Sequence, residues 1–401
     1  MNLTELFPML STQMNGKRLA YLDSAATALK PLSVSETMSA YLNGHTSNVH
    51  RGIYSLSEDN TRQFEVVRDQ VKDFLNASAR EEIIFTKGTT DSINLVASSW
   101  GRANIHEGDE IIISELEHHA NIVPWQMLRD EKRAKLLIIP VLDDGSLDYK
   151  SFESLISKRT KIVALSMVSN TTGVITNMQE VQRILKDKKI TLLLDAAQAA
   201  PHFPLDVQKL GADFLCFSAH KVYGPTGVGV LWGRQSLLEA MPPYQGGGNM
   251  ISTVTFEKTT WNKLPEKFEA GTPAITEVLG FGAALEFVQQ IGFKFIEERD
   301  QELLKEATAK LSQITGLVIF GTHPKKVATF AFEIQGLHPQ DLGSVLNLEG
   351  VAIRTGHHCT QPLLKRFGVT AAARASFGLY NTSADIDQLV NSIKKAQKLF
   401  L

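Results

Sequence analysis

The chain has 401 residues, 43% hydrophobic and 21% charged, enough apolar material for a buried core and too much for a disordered chain. Its 41 Lys and Arg against 43 Asp and Glu leave a net charge of −2, which offers no broad basic field to a nucleic-acid backbone. Two cysteines, Cys216 and Cys359, exclude a disulfide framework or a cysteine-rich zinc centre, and no run reaches the ~18 apolar residues that span a bilayer.

In chain order, residues 1–20 read as a helical arm. Residues 1–7 lack the basic start and long apolar run of a secretory signal, so a cytoplasmic location with both thiols reduced is expected. Short apolar runs then alternate with amphipathic segments. Residues 82–85, 110–113, 136–141, 162–167, 190–194, 214–217 and 228–231 read as strands, several of them apolar on both faces. In one segment between them, Phe64, Val67, Val71 and Phe74 fall on a single helical face. This alternation predicts an α/β large domain over 21–275, with a mostly parallel seven-stranded sheet covered by helices. A long helical region at 275–313 follows. Strand candidates come next at 317–320, 328–333, 351–354 and 373–379. The last helix has Thr382 or Ser383 as its cap and Ile386, Leu389, Val390 and Ile393 as its buried stripe. Residues 276–401 are thus expected to form a smaller α+β domain.

Residues that carry chemistry gather where strands end. Leu192-Leu193-Leu194-Asp195-Ala196-Ala197-Gln198 sets a carboxylate at the end of a buried run, and Phe217-Ser218-Ala219-His220-Lys221 sets a lysine at the end of the next. Ligands of open α/β sheets bind beyond the carboxyl ends of the strands. A lysine and an aspartate there suit pyridoxal phosphate, which needs an amine for a Schiff base and a carboxylate to keep its pyridine nitrogen protonated. Singly, Asp195 reads as a helix cap and Lys221 as a solvated loop residue; Ser218, His220, Gly224, Gly227 and Gly229 beside them favour the cofactor.

A phosphate cradle is expected at Lys87-Gly88-Thr89-Thr90-Asp91, between a strand and a helix, although the run also reads as an ordinary helix cap. His118, in Glu117-His118-His119, is the candidate to stack on a pyridine ring. As a metal ligand it is disfavoured, because its histidine neighbour and the absence of a thiol or carboxylate at ligand spacing do not make one centre. Asn170 follows the 162–167 strand and is placed for the ring oxygen or a substrate carboxylate. Cys359 reads as a reactive thiol or an inert loop thiol, and Cys216, inside an apolar run, as core.

Asp195-Ala196-Ala197-Gln198, Ser218-Ala219-His220-Lys221 and Arg354-Thr355-Gly356-His357-His358-Cys359 together resemble the group II, SufS-type cysteine desulfurases. Those enzymes belong to the class V pyridoxal-phosphate-dependent aminotransferase superfamily. The resemblance runs end to end, from Tyr21-Leu22-Asp23-Ser24-Ala25-Ala26 through Asn48-Val49-His50-Arg51-Gly52 and Phe268-Glu269-Ala270-Gly271-Thr272-Pro273 to Arg374-Ala375-Ser376. It implies a fold-type I transferase that converts L-cysteine to L-alanine. The sulfur would pass through a Cys359 persulfide to an acceptor of the SufE or SufU type, for iron–sulfur cluster assembly.

The same resemblance implies that Lys221 carries the cofactor, Asp195 pairs with its ring nitrogen, Gln198 contacts its ring oxygen and His118 stacks on it. Gly88, Thr89, Thr90, Ser218 and His220 would hold the phosphate, joined by Thr272 from the other subunit of a homodimer. Asn170, Arg354 and Arg374 would bind substrate, with no metal; by their own positions His357 and His358 either assist formation of the Cys359 thiolate or, as neighbours that point apart in extended chain favour, shape its loop. Departures are Asp91, where many members carry Glu, and Tyr54, where some carry His. A selenocysteine lyase would share nearly every one of these residues, whereas an aminotransferase would have no use for Cys359. A nicotinamide dehydrogenase would need a Gly-x-Gly-x-x-Gly turn that Gly246-Gly247-Gly248 does not supply.

Overall fold

The computed structural model describes residues 3–401. Its main sheet comprises β1 (Ile83–Thr86), β2 (Glu110–Ser114), β3 (Lys135–Ile139), β4 (Thr160–Ser166), β5 (Thr191–Asp195), β6 (Phe214–Ser218) and β7 (Gly229–Gly233). The order is β1-β7-β6-β5-β4-β2-β3, and β7 alone runs antiparallel to its neighbours. The mostly parallel seven-stranded sheet expected from the sequence is therefore present, each strand within two residues of its predicted run.

The reason is visible in the side chains. Leu192, Leu194 and Phe217 enter one core, with Phe64, Val67 and Val71 of the helix Ser55–Leu75. Leu193, Phe214 and Cys216 enter the opposite core, with Trp125 and Leu128 of the helix Val123–Lys132. A strand buried on both faces reads as an unbroken apolar run. Only β3, at the sheet edge, is half-exposed.

A second sheet holds β8 (Leu317–Phe320), β9 (Thr329–Ile334), β10 (Arg354–Gly356) and β11 (Ala372–Ser376), all antiparallel, in the order β8-β9-β11-β10. The helices Phe293–Leu311, Pro339–Leu348 and Ser383–Phe400 cover it. The last opens with a capping box between Thr382 and Asp385, and its predicted stripe is buried.

Three local expectations are corrected. The helix at 275–313 is two helices, Ile275–Ile291 and Phe293–Leu311, broken at Gly292, whose φ of 80° no right-handed helix accommodates. Among the described residues the arm is helical only at Leu3–Leu6 and Pro8–Ser11; Gln13–Met14 and Lys17–Arg18 form a hairpin. Asn15 and Gly16, with φ of 53° and 71°, make the turn that suits a two-residue hairpin loop. The strand at 351–354 divides: Val351–Ala352 pairs in parallel with Ala20–Tyr21, whereas Arg354–Gly356 pairs with β11. No helix among the described residues is long and apolar enough to cross a membrane.

Candidate active site

Ser166, Asp195 and Ser218 are the last residues of β4, β5 and β6, so the parallel strands deliver them to one edge of the sheet. Beside them is a cavity of about 170 Å³ whose wall includes Thr89, Thr90, His118, Asn170, Asp195, Gln198, Ser218, His220, Lys221, Arg354 and Arg374. Residues far apart in sequence thus converge on one place. Gly88 lines an adjoining cavity that shares Thr89, Thr90, Ser218 and His220. There Thr89 donates its N–H to Ser218 Oγ at 2.8 Å. A Cβ on Gly229 of β7 would sit 2.4 Å from Gly88 Cα, so the loop can lie on the strand end only because residue 229 is glycine, while Gly88 itself takes a φ of 152° that side chains rarely adopt.

Lys221 follows β6 in the short turn Ala219–Lys221 and makes no hydrogen bond or ion pair among the described residues. Burial pushes its amine down to about 8. Asp195 is buried and accepts the Ala197 N–H at 2.9 Å. Burial pushes its carboxyl up, opposed by that N–H and by the Lys221 amine. His118 Nδ1 accepts the Ala120 N–H at 3.0 Å; burial, and then the nearby Lys221, push it down to about 3, which keeps the ring neutral. His220 is pushed down to about 4, also chiefly by burial. Gln198 Nε2 donates to Ala25 O at 2.8 Å.

Arg354 of β10 and Arg374 of β11 are register partners, and both reach the cavity. Like charges directly across a strand pair repel, so this pairing calls for anions. Asp23 supplies one, 2.8 Å from Arg374 Nη2. Arg374 Nη1 donates to Asn170 O at 2.9 Å, while its Nε is buried without a partner. Two arginines on the wall of one cavity match a small carboxylate.

The loop after β10 carries Cys359. His358 and Cys359 both take left-handed backbone, with φ of 52° and 59°, at a cost of order 1–3 kcal/mol each. Bonds to the rest of the molecule hold them there. Asn170 Nδ2 donates to His358 O at 2.8 Å, and the His119 N–H donates to Cys359 O at 2.8 Å. The buried His358 ring bonds Ala372 O at 2.9 Å, which ties the loop to β11. Cys359 Sγ is half-buried, 3.6 Å from Arg354 Nη2. Cys216 is fully buried in β6, a core residue as anticipated.

Thr272 does not reach the central cavity of its own chain; it lines another, with Asp91 and Tyr244. Sequence reasoning missed Asp23 as the partner of Arg374, and Ala25 and Ala26 as part of the wall. It also missed that His119 and His357 meet the Cys359 thiol, with one ligand-type atom of each within 4.8 Å of the others. Each of these rings already accepts a main-chain N–H, His119 from Gln361 and His357 from Cys359. A neutral imidazole has one lone pair to give, so in this arrangement both rings are engaged by the loop's main chain.

Pyridoxal phosphate fits the residues present. A free amine and a buried carboxylate share the cavity wall, and His220 Nδ1 is a buried atom with no partner beside the Gly88–Thr90 loop.

The model of the aminotransferase class-V family matches residues 20–389. A cysteine desulfurase of Synechococcus elongatus is 48% identical over 98% of this chain, and the chain spans 62% of that protein's length. A probable cysteine desulfurase of Halalkalibacterium halodurans is 46% identical over 99% of this chain and 97% of its own. The crystal structure of the cysteine desulfurase CsdA of Escherichia coli, in an S-sulfonic acid form, superposes with a TM-score of 0.92. It is 39% identical, covering 100% of this chain and 98% of that one. With a matching family model over most of its length and relatives this similar, the chain belongs to the aminotransferase class-V family, among its pyridoxal-phosphate-dependent cysteine desulfurases.

Proposed function

We propose that the protein takes sulfur from free L-cysteine, leaving L-alanine and a persulfide on Cys359. The observation that carries this reading is the meeting of a thiol with an amino-acid site: Cys359 Sγ stands 3.6 Å from Arg354, whose neighbour across the strands, Arg374, has a buried unmet donor. An enzyme that only moved amino groups would have no need of that sulfur.

Lys221, Asp195, Gln198 and His118 would hold the cofactor ring. Gly88, Thr89, Thr90, Ser218 and His220 would hold its phosphate, with Thr272 of a second copy completing the site in a homodimer. When bound, pyridoxal phosphate withdraws electrons from the Cα of the amino acid. Arg374, with Arg354 and Asn170, fixes the substrate carboxylate. The Lys221 amine, uncharged above about 8, takes the Cα proton and returns one to the product. The Cys359 sulfur bonds to the substrate sulfur as the substrate C–S bond breaks and its carbon gains a proton. One cysteine and one thiol thereby give one alanine and one persulfide, with no outside oxidant. The persulfide sulfur then passes to an acceptor of the SufE or SufU type for iron–sulfur cluster assembly. The chain is a cytoplasmic enzyme in this reading.

Alanine and sulfide formed in equal amounts from L-cysteine, with a thiol reductant present, support the assignment. 3-Mercaptopyruvate in place of alanine would indicate transamination instead. L-selenocysteine supplied in competition separates the lyase reading, which a strong preference for selenium would favour.

Two further results are expected. Arg374→Ala should raise KM for cysteine roughly ten- to a hundredfold, the worth of about 1.5–3 kcal/mol in charged hydrogen bonds. Steady-state kinetics would show it, and an unchanged KM would place the carboxylate elsewhere. Attachment of pyridoxal phosphate to the cofactor-free chain should quicken with a midpoint near pH 8, where Lys221 loses its proton, and slow about tenfold per pH unit below it. A midpoint near 10.5, the ordinary value for lysine, would mean that the amine is not buried as described.

A further inference from the structure

Lys30 is a half-buried lysine that the chemistry above does not use. Its Nζ donates to Thr27 Oγ1 at 3.1 Å, to Ala28 O at 2.6 Å and to His220 O at 2.8 Å. Three acceptors match the three donors of an ammonium and exceed the two of a neutral amine. None of them is a carboxylate, and burial alone pushes the group down to about 8. A cation placed out of water without a counter-ion is costly, so the site must use the bonds it makes.

Their common target is informative. The His220 carbonyl also accepts the Ala28 N–H at 3.0 Å and the Thr27 hydroxyl at 3.2 Å. Three donors thus converge on the peptide oxygen immediately before Lys221. The segment that supplies them is anchored in turn: Tyr21 donates its hydroxyl to Thr27 O, and Leu29 donates its N–H to Tyr380 Oη. Lys30 itself is not part of the cavity wall, so it touches neither substrate nor cofactor there.

We infer that Lys30 is a positioning residue for Lys221: by gripping the His220 carbonyl, its ammonium fixes the main chain from which the cofactor-bearing side chain extends. This rests on Lys221 being the lysine that carries pyridoxal phosphate. A reacting group displaced by about an ångström can lose a hundredfold in rate, and a main-chain anchor is where such a displacement would start.

The test is stopped-flow absorbance of the full-length, cofactor-free chain mixed with pyridoxal phosphate. Lys30→Met should attach the cofactor roughly ten- to a hundredfold more slowly, with a melting temperature close to the parent's. Lys30→Gln, which keeps two donors, should recover part of the rate. Ser24→Ala loosens the same segment by removing the Ser24–Tyr380 bond without touching the His220 carbonyl, and should attach at the parent rate. An unslowed Lys30→Met overturns the inference, as does equal slowing in Ser24→Ala. Should Lys30→Met fail to fold, Lys30→Gln decides: a parent-like rate overturns the proposal, and a slower rate at parent-like melting temperature supports it. Failure of the underlying assignment would look different, as an undiminished visible band in Lys221→Ala.

Discussion

Lys221→Ala is expected to abolish the visible absorbance of lysine-bound cofactor and to lower alanine formation from cysteine by roughly a hundred- to ten-thousandfold, the usual worth of a placed proton carrier. No other lysine can take its place. Lys30 is held by three acceptors outside the wall, and Lys87 lines only the adjoining cavities. The substitution also removes the positive neighbour that opposes the upward push of burial on Asp195, so the carboxyl should protonate more readily. An absorption spectrum and an alanine assay on the purified variant check both effects. Retention of the visible band would remove Lys221 from the role.

Cys359→Ala should behave differently. It is expected to keep the cofactor band, because the thiol lies outside the wall formed by Asp195 and Lys221. Its loop should also persist, since the clamps act on the carbonyls of His358 and Cys359 and on the His358 ring rather than on the sulfur. Sulfide release should nevertheless fall by roughly a thousandfold or more, the scale of losing a lone nucleophile. Sulfide and alanine measured together decide it. Parent-like release would mean that sulfur leaves without passing through Cys359.

The contrast between these two variants follows how the site is built. Asp195 and Ser218 end strands that are buried apart from Thr191, and Lys221 follows in the turn after one of them; such strands are legible as apolar runs that stop at a polar residue. The large sheet and the cofactor half of the site could accordingly be read from the chain alone. Local punctuation was legible too but underused: Asn15-Gly16 is a hairpin turn, and Gly292 interrupts two helices that periodicity joined. The substrate half was less accessible. Arg354 faces Arg374 only because the strand at 351–354 changes partner after Ala352, and nothing in the residue pattern marks the change. Asp23 meets Arg374 across 351 positions of sequence. The left-handed backbone at His358 and Cys359, usually a place for glycine, left no trace in composition either. Motif resemblance supplied those residues where periodicity was silent.

The most direct measurement is mass spectrometry of the intact protein and its peptides after reaction with L-cysteine in the absence of reductant. One added sulfur atom on the peptide bearing Cys359, none on that bearing Cys216, and removal of the label by a thiol are the results predicted. Alanine produced while Cys359 stays unmodified, or sulfur found on Cys216 instead, would contradict the account.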